Sequence, residues 1–305
     1  MRQKSTHESE VLTLRRHGKP LLDRNRYLLF AAPSLIVMAL IMIFPVCYSI
    51  YYSFFDYKLG TPATFSGFEN YAYLLKNSEF WNAMGFSAGY TVVTVFFQVV
   101  LGMGIALLLD RITRGRKIIS ILIYLPYFIA ASSAGIIFRW MCMSDWGLID
   151  QVLSLVGISL PSWFDSPGLS RVIVCIAEIW QNTPFAIIVF FAGLQSVSAD
   201  QMEAASIDGA NAFRKFWSIK LPHLRHLITL VLTMRIMDAF RVYDRIVVLT
   251  AGGPGTSTQS ISLFAYITAF TKLRIGRGSA IGVLILVALV IPVFILLKIM
   301  RSEEA

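Results

Sequence analysis

Residues 86–109 read FSAGYTVVTVFFQVVLGMGIALLL, a run without one charged side chain. A bilayer core of about 30 Å takes about 20 apolar residues as a helix, because lipid offers backbone amides no hydrogen-bond partner. This stretch therefore predicts a membrane-spanning helix. The same ruler picks out 27–52, 118–138 and 280–297. Two further stretches, 172–194 and 227–249, have the length but carry charges: Glu178 in the first, and Arg235, Asp238, Arg241, Asp244 and Arg245 in the second. Counted with the others they predict an all-α membrane protein with six transmembrane helices.

Composition agrees with that ruler. Of the 305 residues, 56% are hydrophobic and 15% charged, against about 45–50% and about 25% in soluble domains. The apolar runs leave no separate soluble domain. The net charge of +9 fits cytoplasmic loops facing anionic membrane lipid better than a nucleic-acid partner. Cys47 and Cys175 lie inside apolar runs and Cys142 stands alone, which gives neither a disulfide framework nor a CxxC metal pattern. All three read as inert packing residues.

Lys and Arg in short loops set the orientation, since they stay in the cytoplasm far more readily than they cross. Residues 1–26, 110–117, 195–225 and the tail from Lys298 hold 17 of them, and the alternate segments 53–82, 142–170 and 250–279 hold 5. Both termini are accordingly expected in the cytoplasm, with an N-terminal tail at 1–26, a six-helix transmembrane domain at 27–298 and a tail at 299–305. The basic start is not a secretory signal, because the apolar run after it is about twice too long and ends in aromatics without a small-residue cleavage site. In the outer segments Phe68, Tyr71, Trp146 and Trp163 suit an interfacial aromatic belt. A short outer helix packed on the bundle is expected at 260–270.

Between the fourth and fifth spans lies a long loop, 195–225. Met202, Ala204, Ala205 and Ile207 fall at helical spacing, and Gly209 can end that helix by taking the positive φ that a helix C-terminus often needs. A second helix starts at Ala210, and Pro222 closes the element. Two short helices joined at a glycine would make a compact knob with small alanines that let a partner approach.

Here a family resemblance becomes specific. Glu203, Ala204, Ala205, then Gly209, then Ile219, Leu221 and Pro222, with Asp208 before the glycine, keep the residues and gaps of the EAA signature. The chain thus resembles the permeases of binding-protein-dependent ATP-binding-cassette importers. That resemblance implies the type I importer permease fold, and a coupling helix in 195–225 that docks on a nucleotide-binding subunit. It also implies two cytosolic ATP-binding subunits, a second homologous permease and an external solute-binding protein. No cofactor is expected on this chain; ATP and Mg belong to the partner ATPase. Leu249, Thr250, Gly252, Gly253 and Pro254 resemble the LTxGGP turn of the larger permease of sugar importers, as do Tyr124 to Pro126, Gly147 and the WQNTPF run from Trp180. The implied cargo is a sugar or sugar-like solute, and the implied location is a prokaryotic plasma membrane, the inner one in a Gram-negative cell.

The charges of the fifth span need a reason, because an ionisable group at the bilayer centre costs about 2.5–3.5 kcal/mol on insertion scales. Arg235, Asp238, Arg241 and Asp244 are spaced by three, so on one helix they could pair as i, i+3 neighbours. They could equally face a water-filled cavity and hydrogen-bond sugar hydroxyls. Arg235, Asp238 and Arg241, near mid-span, are the candidates, with Asp244 and Arg245 nearer the outer face. Trp180, Asn182 and Thr183 are the other candidates, beside a kink that Pro184 permits and whose freed carbonyl Asn182 or Thr183 could satisfy. Glu178 reads as a ligand or, better, as a partner of Arg171.

Other function classes fit less well. A secondary transporter would be expected to show inverted repeats, and none is visible. A membrane enzyme would need a catalytic constellation, yet His7, His17, His223 and His226 stand without HExxH, GxSxG or clustered carboxylates. A GxxxxGK[ST] phosphate loop is also missing, so ATP hydrolysis would fall to another chain.

Overall fold

A computed structural model describes residues 21–144, 146–155, 157 and 161–302. Most of the 1–26 tail and residues 303–305 lie outside the described residues. The chain divides into two compact units, Met1–Tyr51 and Tyr52–Ala305.

The first unit is one helix, α1, Leu21–Tyr52. It begins six residues before the first span was expected to start, at Tyr27. Its segment Phe30–Tyr52 exposes apolar side chains all round, Leu35, Ile41 and Phe44 among them, as a helix does when its solvent is lipid.

The second unit opens with a hairpin, β1 Phe55–Asp56 and β2 Thr64–Phe65, paired antiparallel with Phe55 opposite Phe65. The Asn70 amide donates to the carbonyls of Ser53 (2.9 Å) and Phe55 (2.8 Å), pinning the hairpin to α2, Glu69–Lys76. Next comes α3, Ser78–Arg111, whose first turn is capped by Asn77 accepting from the Glu79 amide. Then come α4, Arg116–Tyr124, with a 3-10 turn at Leu125–Phe128, and α5, Ala131–Met141. The helix α6, Leu148–Leu155, leads to α7, Pro167–Gln195. After α8, Ala199–Ile207, and α9, Ala212–Lys215, a π turn at Phe216–Lys220 runs into α10, Leu221–Phe240. The chain ends with α11 Asp244–Leu249, α12 Ile261–Tyr266 with a π turn at Ile267–Thr271, and α13 Ile275–Ser302.

The core forms where α3 and α7 lie together. A Cβ on Gly102 would stand 2.6 Å from that of Ala186, so glycine permits this approach. Met103, Ala106 and Leu109 pack there with Ile187, Phe190 and Leu194, and with Leu224 and Val231 of α10. Trp163 joins Val174, Ala177 and Leu249 in a second cluster. It is therefore buried rather than part of an interfacial belt, while Trp146 and Phe68 stay exposed. Cys142 is buried, and desolvation, with the Asp150 charge adding to it, pushes its thiol up to about 12. It is an unreactive packing residue.

Two expected spans are broken. The helix at 118–138 bends by 96° between Phe128 and Ala131, because Ile129 and Ala130 adopt extended backbone. The span at 227–249 stops at Phe240, and Arg241, Val242 and Tyr243 carry the chain to α11. In consequence the charges from 235 to 245 do not form one stripe on one helix. Pro222 does not close an element either: it is the second residue of α10, which continues from the π turn without a gap. A proline ring clashes with the carbonyl four residues back, and a widened π turn just before it relieves that clash. Among the described residues, four helices are long and apolar enough to cross a membrane, or five if the bent pair is one span.

Candidate functional site

The embedded charges form one continuous chain of contacts. At its deep end the Arg245 guanidinium pairs with Glu178 and also donates to the Gln181 carbonyl and, at 3.3 Å, to the Tyr90 hydroxyl. The Tyr90 hydroxyl donates to Glu178 Oε2 at 2.8 Å, and Gln98 Nε2 donates to Oε1 at 3.3 Å. Asn182 Nδ2 donates to the same Oε1 at 2.8 Å and its Oδ1 accepts from Arg235 at 2.9 Å. Arg235 pairs with Asp238 at 2.7 Å, and Asp238 with Arg241 at 3.2 Å. Glu178 is thus bound to Arg245, not Arg171; the Arg171 Nε donates instead to the Ser257 carbonyl at 2.9 Å.

Burial grades along this chain. The Arg245 and Glu178 side chains are 3% and 5% exposed, Arg235 5%, Asp238 44% and Arg241 57%. Arg245 is deep in the unit rather than towards its outer face. The deep end also holds the broken span, since Gln181 Nε2 donates to the Ile129 carbonyl at 2.5 Å. A backbone carbonyl freed at a break needs such a partner in lipid. Arg235 stacks its guanidinium 4.5 Å above the Phe185 ring, which fixes its direction.

Of the residues singled out in the sequence, the structure brings Asn182, Arg235, Asp238 and Arg241 together. Trp180 turns the other way, edge-on to Phe138 of α5 with ring centroids 5.4 Å apart. The Thr183 hydroxyl donates to its own helix at the Ile179 carbonyl, 2.6 Å away. Gln181, from the WQNTPF run, joins the network, and so do Tyr90 and Gln98, which the sequence reading leaves as ordinary residues of an apolar run. The one available signal was their amide and phenol groups inside spans where an unpartnered polar group is costly.

At 195–225 the chain folds as two short helices about Gly209, whose φ is +74°. Asp208 caps α8, and the side chain of Asn211 caps α9 by accepting from the Arg214 amide. Lys215 Nζ donates to Ser206 Oγ at 2.5 Å, tying α9 back to α8. Between α8 and the π turn with the start of α10 opens a cavity of about 510 Å³ lined by Gln201, Ala204, Ala205, Asp208, Ser218, Ile219 and His223. Glu203 is exposed on α8, and Leu221 and Pro222 begin α10. Large apolar side chains crown the knob: Ile207, Phe213 and Trp217 are all exposed, with the last two rings 6.0 Å apart. An uncovered apolar tip of this kind marks a contact surface.

Residues 98–302 match the family described as binding-protein-dependent transport system inner membrane component. The sulfoquinovosyl glycerol transport system permease protein SmoG of Agrobacterium fabrum is 32% identical over 284 residues, covering 92% of this chain and 92% of that protein. The trehalose/maltose transport system permease protein MalF of Thermococcus litoralis is 34% identical over 277 residues, covering 90% and 94%. Among solved structures, a chain of a bacterial alginate ABC transporter in complex with an alginate pentasaccharide-bound periplasmic protein superposes with a TM-score of 0.82 at 21% identity, covering 92% and 96%. At that identity the likeness concerns the fold.

Proposed function

Because the chain belongs to the family of binding-protein-dependent transport system inner membrane components, we propose that it is the sugar-translocating permease subunit of an ATP-driven importer. It would work with a second, homologous permease, two cytosolic ATP-binding subunits that carry ATP and Mg, and an external solute-binding protein. The observation that carries this reading is the knob at 195–225, where Ala204, Ala205, Asp208 and Ile219 of the EAA signature line a cavity and Ile207, Phe213 and Trp217 are exposed beside them. Glu203, Ala204, Ala205, Asp208, Gly209, Ile219, Leu221 and Pro222 would form the docking and coupling element for the ATPase.

We assign the cargo to the sugar class on the strength of relatives that transport sulfoquinovosyl glycerol and trehalose or maltose. Counting α10 with α11 as one broken span brings the helices to six, which would leave both termini in the cytoplasm. In the assembled importer, Asp238 and Arg241, at the open end of the polar chain, would bond sugar hydroxyls. Asn182 and Arg235 would orient them, with Trp180 and Thr183 further along the same path.

The test is purification of the chain in detergent from its native membrane, followed by assay of the ATPase that accompanies it. Wild type is expected to recover an ATPase. Gly209→Asp, which forces a β-carbon into left-handed backbone, is expected to lose it or its stimulation by a loaded binding protein. A wild-type chain that recovers no ATPase would sink the reading.

A further inference from the structure

Asp110 is the penultimate residue of α3, a place where a charge ending an apolar helix is ordinarily left to solvent. Here its side chain is only 19% exposed and both oxygens are engaged. Oδ2 accepts from Lys220 Nζ at 2.7 Å, and Oδ1 accepts from Gln195 Nε2 at 2.8 Å. Gln195 is the last residue of α7. Lys220 closes the π turn and stands between Ile219 and Leu221, at a position the signature leaves open. One carboxylate therefore holds the ends of three elements.

The same junction has a second fastening. Ser196 Oγ and His223 Nε2 share a hydrogen bond of 2.8 Å. Leu224 and Leu227 lie so close to Gly193 that a Cβ there would collide with both. Without a charge link, a push on α8 and α9 could be absorbed in the widened turn at Phe216–Lys220, because a π turn interrupts the regular α-helical ladder and recurs at functional sites.

We propose that the Asp110–Lys220 pair is the positioning joint that makes α3 and α7 follow the coupling segment, an inference that rests on the importer reading above. The pair touches neither cargo nor nucleotide. It converts displacement of the knob into movement of the two helices that carry the polar chain.

The experiment uses the assembled complex with its accompanying ATPase, spin-labelled at Leu108→Cys on α3 and Asp200→Cys on α8, with Cys47, Cys142 and Cys175 replaced by alanine. The distance between labels is measured without nucleotide and after trapping with ATP and vanadate. With the joint intact, the distribution stays narrow and the same in both states. In Asp110→Asn and in Lys220→Met it should broaden or shift between states by about 5 Å, one helical turn, while ATP hydrolysis continues. Lys220→Arg, and the exchange of Asp110→Lys with Lys220→Asp, should restore the narrow distribution, a rescue that mere loss of folding would not allow.

Single variants indistinguishable from wild type would overturn the proposal, as would an exchange that restores nothing. If neither single variant assembles, assembly of the exchanged pair decides in the same way. A wild-type chain without an ATPase would overturn both readings at once, and it is seen before any variant is examined.

Discussion

The two ends of the embedded polar chain are built from the same residue types and serve different ends. At Glu178 and Arg245 both side chains are almost fully buried and are surrounded by Tyr90, Gln98, Gln181 and Asn182. At Asp238 and Arg241 the pair is about half exposed, and among the described residues Arg235 is the one further side chain bonded to it. A buried pair is expensive to form and more expensive to break, because removing one member strands the other in a medium of low dielectric. An exposed pair is worth about 0–1 kcal/mol and is free to exchange its partner for a ligand. The deep end therefore holds the fold and the open end is available for work.

The sharpest way to break this contrast is Glu178→Ala. It strands the Arg245 charge, and the expected loss is about 3–5 kcal/mol, read as a fall in the thermal unfolding midpoint of the purified complex. Replacing both members, Glu178→Met with Arg245→Met, should recover most of that loss, since an apolar pair of similar volume is often neutral or better. A double variant as unstable as the single one would mean that the surrounding hydrogen bonds, and not the stranded charge, set the cost.

Gln181→Leu comes next. It removes the donor to the Ile129 carbonyl at the 96° bend and an acceptor of Arg245. Leaving buried partners unsatisfied costs about 1–3 kcal/mol, and amide exchange should quicken in α5 before it does in α3. Uniform exchange in both helices would show that the bend does not depend on this side chain.

These effects also mark what the sequence could disclose. The helices α1, α3 and α13 were legible from apolar length alone, because a lipid solvent leaves a long uncharged run few alternatives, and α7 was legible from its length in spite of Glu178. The turn at Gly209 was legible too, since only a positive φ ends α8 as it does. The breaks at Ile129 and Arg241 were not. Their causes lie far along the chain: Gln181 reaches Ile129 across 52 positions, and the expected partner for Glu178 was Arg171, two turns away on the same helix, not Arg245 on another element. Asp110 was read only as the first residue of the loop 110–117, and nothing in its neighbourhood announces Lys220, 110 positions on. Asn182, Arg235, Asp238 and Arg241 could be named from their cost in lipid, but not the order in which they join.

Arg235→Met interrupts the chain at its middle. It gives up the bonds to Asn182 and Asp238 and the stacking on Phe185. Asp238 keeps Arg241, so no charge is left alone. We expect a loss of about 1.5–2 kcal/mol, the lower part of the range for hydrogen bonds involving a charge, and an intermediate place between the two ends. A loss as large as that of Glu178→Ala would make the whole chain one structural unit and erase the contrast.

The smallest effect on stability belongs to Arg241→Ala, and it is the one that bears on function. The side chain is more than half exposed and its partner Asp238 keeps Arg235, so the unfolding midpoint should stay within the equivalent of about 1 kcal/mol of wild type. If the open end bonds the cargo, losing a charged donor to a sugar hydroxyl removes about 1.5–3 kcal/mol, so uptake of a sugar that the wild-type importer carries should fall by about 10- to 100-fold. The comparison reads both quantities on one protein: unchanged stability with lost uptake assigns the open end to the cargo. Unchanged stability with unchanged uptake would remove Arg241 from the path and leave Asp238 to be tested by itself.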